Sequence, residues 1–349
     1  MNLNNSQTYQ NSLALAAGSM DVSPLYGKRV LITGSTGLIC SAIVDILLWH
    51  NKNRSANIQV LAATLTMEDA QRRFAPLGEA DGLFPVLYDA TKPISFDFDA
   101  DFIIHGASNA TPDAYVKYPV DTMLSNILGI HQLLTFAKDH GVQKTVYISS
   151  SEVYGSAKRT AAIKEDEYGF TDILNVRSSY PMGKKAAETM CVSFADQYGT
   201  PVSIVRPGHI YGPTASPFDK RISSDFAYKA ARGEDLVMKS AGTQMRSYCH
   251  TLDCASAILT VLMHGASGDA YNISNPDSLI TIREMANLLA KAGGVQLLTE
   301  DATALEKAAF NPMDYSSLNS EKLEALGWKG CFGAEDGLAN TVQALKEII

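Results

Sequence analysis

Up to Arg206 the chain alternates short, continuous apolar runs with longer segments of helical period. The runs at 29–32, 58–62, 83–88, 101–105, 145–148 and 202–205 have no polar alternation, which predicts strands buried on both faces. Between them, residues 39–50, 123–139 and 179–198 carry apolar stripes of helical period. Gly141 and Gly199 stand just past two of these helices as stop signals, and Pro181 falls in a first turn, where its missing N–H costs nothing. Strands alternating with helices predict a doubly wound α/β domain, a Rossmann-type parallel sheet covered on both sides. After Arg206 the texture changes. Residues 207–220 hold three prolines and two glycines and read as a long loop. Residues 222–232 and 282–291 read as helices of a smaller α+β lobe, and 253–263 as a helix returning to the large domain. Divided this way, residues 1–22 form a flexible arm and 23–209 a dinucleotide-binding domain to which 247–264 return. The smaller lobe takes 210–246 and 265–349.

With 349 residues, 46% hydrophobic and 19% charged, the chain has an ordinary globular composition and room for a large core. The net charge of −8 gives no general affinity for nucleic acid or anionic membrane. No run approaches the ~18 apolar residues of a membrane span. The five cysteines are scattered without a CxxC pair, which suits reduced thiols in a cytoplasmic protein. Residues 1–21 are rich in Asn, Ser and Gln, and their apolar stretch at 13–17 is too short for a signal segment.

Ser150, Glu152, Tyr180 and Lys184 carry the candidate chemistry. Tyr180 and Lys184 are four apart on a predicted helix, hence on one face. A free phenol, with a pKa of ~10, is a poor base at neutral pH, and a nearby cation favours the phenolate. A serine hydroxyl in the same site can share the substrate proton. The trio suits redox at a carbinol carbon. Glu152 adds a second proton-transfer group, unless it is a solvated loop carboxylate.

Gly34, Thr36, Gly37, Leu38, Ile39 and Cys40 follow the first strand and open a helix, the context in which a phosphate approaches backbone N–H groups. The third position, normally glycine, is Cys40. The second strand ends in Ala62-Ala63-Thr64-Leu65, without the carboxylate that would meet an adenosine 2′-hydroxyl. Arg72 and Arg73 can meet a 2′-phosphate or lie on the surface, so NAD and NADP both stay open. Asp89-Ala90 can hold the adenine edge or make a turn. His105, Ala107 and Ser108 end the fourth strand with small residues, as close approach of a cofactor requires. Asn126 can bridge its helix to the sheet or face solvent.

Together these segments resemble the extended short-chain dehydrogenase/reductase superfamily in its nucleotide-sugar branch. The residues that carry the resemblance are Thr33-Gly34-x-x-Gly37, His105 to Ser108, Ser149 to Gly155, Tyr180-x3-Lys184, Arg206-Pro207, Tyr211-Gly212-Pro213 and Arg246-Ser247-Tyr248. Ser151 to Gly155, Glu165 to Gly169 and Arg177 to Cys191 look most like UDP-glucuronate decarboxylases. The resemblance implies NAD as cofactor, with Pro207 among its contacts, and Tyr180 as the base on a sugar C4 hydroxyl. Lys184 would support Tyr180, Ser150 would bond the C4 oxygen, and Glu152 would act after oxidation. It implies Arg177, His209, Arg221 and Arg246 as substrate contacts, the two last clamping a diphosphate. It also implies a homodimer paired through the helices of Asn126 and Tyr180. The chain departs from the family at Cys40, at the missing acid after the second strand, at Pro207-Gly208, and at His209, where Asn is common. Decarboxylation leads this reading, followed by 4,6-dehydration and 4-epimerisation. A dinucleotide-binding sensor without turnover is the alternative of another class.

Overall fold

The computed structural model describes residues 3–110, 112–156, 160–301 and 315–349. The first part runs α1 (Gln7–Gly18), β1 (Arg29–Thr33), α2 (Leu38–Arg54), β2 (Gln59–Thr64), α3 (Met67–Phe74) and β3 (Leu83–Leu87). It continues with β4 (Phe102–His105), α4 (Pro112–Lys117), α5 (Pro119–Asp139), β5 (Lys144–Ile148), α6 (Ser179–Tyr198) and β6 (Val202–Pro207). Then come β7 (His209–Tyr211), α7 (Ile222–Ala231), β8 (Leu236–Met238), β9 (Met245–His250), α8 (Thr251–His264) and β10 (Ala270–Ile273). The last elements are β11 (Leu279–Thr281), α9 (Ile282–Gly293), β12 (Leu297–Thr299), β13 (Tyr315–Ser316), α10 (Glu321–Glu324) and α11 (Ala334–Lys346).

Seven strands form one parallel sheet in the order β10-β6-β5-β4-β1-β2-β3. The doubly wound reading holds. Val30, Leu31 and Ile32 are fully buried, as a central strand between two helical layers must be. The chain winds outward from β1 to β3, then returns to lay β4 against the other side of β1. That reversal opens a crevice beyond the carboxyl ends of β1 and β4, where open α/β sheets bind ligands. A second core gathers Phe226, Met285, Leu289, Leu338 and Val342 from α7, α9 and α11. Beside it, β9 pairs with β7, β11 and β13.

Three expectations change. The segment read as a flexible arm contains α1, capped by the Ser6 hydroxyl, with Tyr9, Leu13, Ala16 and Ala17 buried against α2, α8 and α11. Those positions follow i, i+4, i+7, i+8, a helical stripe hidden by its small alanines and polar surroundings. The residues assigned to the smaller lobe from 265 onward include β10, which pairs with β6 and forms an edge of the large sheet. The loop read at 207–220 contains the short strand β7. The helix predicted to return, α8, does pack on α2.

Candidate active site

The turn after β1 is pressed against the loop after β4. Gly34 has φ +67, and a Cβ there would lie 2.9 Å from the Ala107 nitrogen, so only glycine fits. The same turn is tied to the tip of β2, where the Ser35 N–H donates to the Ala63 carbonyl at 3.1 Å. Gly37 is the N-cap of α2 and offers no side chain to its first turn, so these N–H groups face the crevice end of the helix. The Ser35 hydroxyl is buried with no protein partner. A glycine cradle, a helix N-terminus and an orphaned hydroxyl fit a dinucleotide pyrophosphate. Leu38 and Ile39 begin the helix beneath, and the Leu38 carbonyl accepts from Thr214 at 2.7 Å, which links the cradle to the smaller lobe.

Cys40 departs from the glycine usual at its position, and the space comes from Gly106. A Cβ on Gly106 would sit 2.3 Å from the Cys40 sulfur. Burial pushes the Cys40 thiol up to about 12, so it packs as a neutral group.

His105 is turned into the core rather than into the crevice. Its Nδ1 lies 2.7 Å from the Thr33 hydroxyl, whose oxygen also accepts the Gly106 and Ala107 N–H groups. Burial pushes the imidazole down to about 3, so it is neutral and shapes the turn. Ser108 donates to the Asn126 amide oxygen at 3.1 Å, and Tyr147 of β5 donates to the same oxygen at 3.3 Å. Asn126 is fully buried and donates to the Thr122 carbonyl. It therefore bridges α5, the β4 loop and the sheet. Asp89 is held by the Thr91 N–H and hydroxyl and by Lys92, a turn arrangement, with Ala90 buried beside it against α5. Pro207 closes β6 in register with Ile273.

The candidate proton-transfer residues meet where β5 ends and α6 begins. Ser150 caps the short turn of residues 151–154, accepting the Glu152 N–H at 3.2 Å. Tyr180 is buried, and burial raises its phenol well above the ordinary value. The Ser150 hydroxyl and, from the smaller lobe, Arg221 pull it down; Glu152 and Tyr115 push it up. Lys184, one turn on, donates to the Ile148 carbonyl at 2.7 Å and lies 5.8 Å from the Tyr180 ring centroid. Burial pushes its ammonium down to about 7. Desolvation dominates both groups, raising the Tyr180 phenol and lowering the Lys184 ammonium.

Glu152 is engaged by Arg177 at 3.4 Å. Arg177 also lies 5.7 Å from the Tyr115 ring centroid, and Tyr115 stacks on Tyr180 at 5.1 Å and 18°. Glu152, Arg177, Tyr115 and Tyr180 therefore form one connected cluster. Sequence reasoning missed Tyr115, which stands in no motif and reaches the site through α4. Arg221, the N-cap of α7, pairs with Asp219. Arg246 is buried on β9 and donates to the Met245 carbonyl at 2.8 Å. With burial it pushes the His209 imidazole down to about 3, and His209 lies 3.1 Å from the Ser316 hydroxyl.

Arg206 is the other residue whose role the motifs did not reveal. Buried under the site, it donates to Glu188 of α6 at 2.6 and 3.0 Å, to the Tyr154 and Tyr168 hydroxyls and to the Glu165 carbonyl. It pins the segment after Ser150 to the helix of Tyr180.

A doubly wound fold with a glycine cradle and a Ser-Tyr-Lys set defines an enzyme of the extended short-chain dehydrogenase/reductase type. Residues 30–274 match the model of the NAD dependent epimerase/dehydratase family, and the chain belongs to that family. It is 30% identical to UDP-glucuronic acid decarboxylase 6 of Arabidopsis thaliana, over 89% of this chain and 86% of that one. It is 25% identical to dTDP-D-glucose 4,6-dehydratase of Bos taurus, over 96% and 94%. Among solved structures, an NAD-bound dTDP-glucose 4,6-dehydratase from Streptomyces venezuelae superposes with a TM-score of 0.76 at 25% identity, covering 92% of this chain and 97% of that one.

Proposed function

We propose that this chain decarboxylates a nucleotide-linked uronic acid through a 4-keto sugar. The observation that carries the reading is the connected cluster of Glu152, Arg177 and Tyr180, in a chain whose 30% identical relatives are UDP-glucuronic acid decarboxylases. NAD, when bound on the cradle, supplies the two-electron acceptor. Tyr180 takes the C4 hydroxyl proton, with Ser150 bonded to the same oxygen. Ser150 and Arg221 are the neighbours that favour the phenolate. Glu152 handles the proton that must move once the 4-keto group has weakened the bond to C6. Arg177 turns from Glu152 toward the sugar. Arg221 and Arg246, with His209 beside them, hold the diphosphate, so residues 210–246 and the C-terminal segment form the sugar-nucleotide lobe.

The five cysteines are free and four are buried, which suits a reducing compartment, and we place the enzyme in the cytoplasm. No helix among the described residues is long and apolar enough to cross a membrane. We assign the exposed Met123, Leu124 and Leu128 of α5 and Val192 of α6 to a homodimer face.

The test is mass spectrometry of nucleotide sugars incubated with the protein. Loss of CO2 from a nucleotide uronate is the outcome that supports the proposal. Loss of water from a neutral nucleotide hexose marks a dehydratase, and inversion at constant mass an epimerase; either replaces it. In Glu152→Gln, substrate should still reduce the cofactor, seen as absorbance near the reduced-nicotinamide band, while product falls at least ~100-fold, the scale of a lost general acid–base group. Full product formation removes Glu152 from the reaction.

A further inference from the structure

The tip of β2 is where an adenosine ribose meets the sheet in this fold, and a carboxylate there normally selects NAD over NADP. Here that position is built from neutral groups. Thr64 ends the strand, nearly buried, with its hydroxyl 3.4 Å from the Thr36 hydroxyl of the glycine turn. The Ser35 N–H bond to Ala63 fixes the two segments side by side. Leu65, the next residue, is 68% exposed and carries no charge.

Of the nearby arginines, one sits in a largely exposed pair and one is buried. Arg72 pairs with Asp69 in its own helix. Arg73 is drawn into the core, where Asp45 of α2 holds its guanidinium and also accepts the Tyr9 hydroxyl of α1. Asp69 is likewise spoken for, since it bonds the Thr66 hydroxyl and Arg72. The one further charge in the first turn of α3 is Glu68, which is exposed. A ribose 2′-hydroxyl would meet hydroxyls at this tip. A 2′-phosphate would meet the same hydroxyl donors, without a carboxylate at the strand end to repel it.

We infer that this enzyme discriminates weakly between NAD and NADP, and that Thr64 and Leu65 are the positions at which selectivity is set. The reasoning rests on the cofactor cradle alone and is independent of which sugar is turned over. The test is a competition. The protein is incubated with equimolar NAD and NADP, separated rapidly from free nucleotide, and the retained dinucleotides are identified by mass. The retained ratio should lie within about tenfold of unity. Thr64→Asp should move it toward NAD by tenfold or more. Leu65→Arg, at an exposed position that any folded variant tolerates, should move it toward NADP by tenfold or more. A wild-type preference beyond about 100-fold for either dinucleotide, or ratios unmoved in the Leu65→Arg variant, overturns the inference. So does retention of neither dinucleotide.

Discussion

Lys184 is buried beside Tyr180. Its pKa of about 7 in the fold stands far below the ~10.4 of an unfolded lysine. Between those values the unfolded chain binds more protons than the folded one, so this residue makes stability rise with pH over that window. Lys184→Met removes the titrating group and keeps most of the volume. Urea midpoints of both proteins at pH 7 and pH 9 should show the variant's advantage shrinking as pH rises. A constant difference would mean that the buried ammonium carries no such penalty. A second residue-scale prediction concerns Cys40 and Gly106. Gly106→Ala should cost about 1–3 kcal/mol through overpacking on the sulfur. Adding Cys40→Gly should return a large part of that loss, a coupling that a double-mutant cycle on urea unfolding reads directly.

Among the elements, the parallel strands were legible because burial on both faces forces unbroken apolar runs. The helix α6 was legible because Pro181 and Gly199 bracket it, and Gly199 adopts the left-handed C-cap its position demands. The candidate proton-transfer residues stand out in the sequence for a similar reason, since that chemistry confines residue types to fixed spacings. Tyr115 was not, because a stacking partner can come from any loop that passes the site. Nor was α1, because serine, asparagine and glutamine in a stripe of alanines look like linker. Its docking is nonetheless part of the core. Leu13→Ala should cost ~2–4 kcal/mol of unfolding free energy, as for other buried leucines, whereas a loose arm would show almost no change.

For the molecule as a whole, the large sheet and the second core are joined by polar devices under the crevice. Thr214 bonds both the Leu38 carbonyl and Thr251, and Arg206 joins β6, α6 and the segment beyond Ser150. Glu188→Ala leaves the Arg206 guanidinium buried without its counter-ion. It should destabilise the fold by about 3–5 kcal/mol, measured by chemical denaturation. Replacing both with apolar residues of similar volume should recover most of the stability. It should not recover turnover, because the Tyr168 and Glu165 contacts go with the arginine.

The Glu347 carboxylate accepts from the Ser6 and Thr8 hydroxyls and from the Thr8 N–H, across 341 positions of sequence in the case of Ser6. The first turn of α1 thus borrows an acceptor from the end of α11, so loosening either helix opens amide groups of the other to solvent exchange.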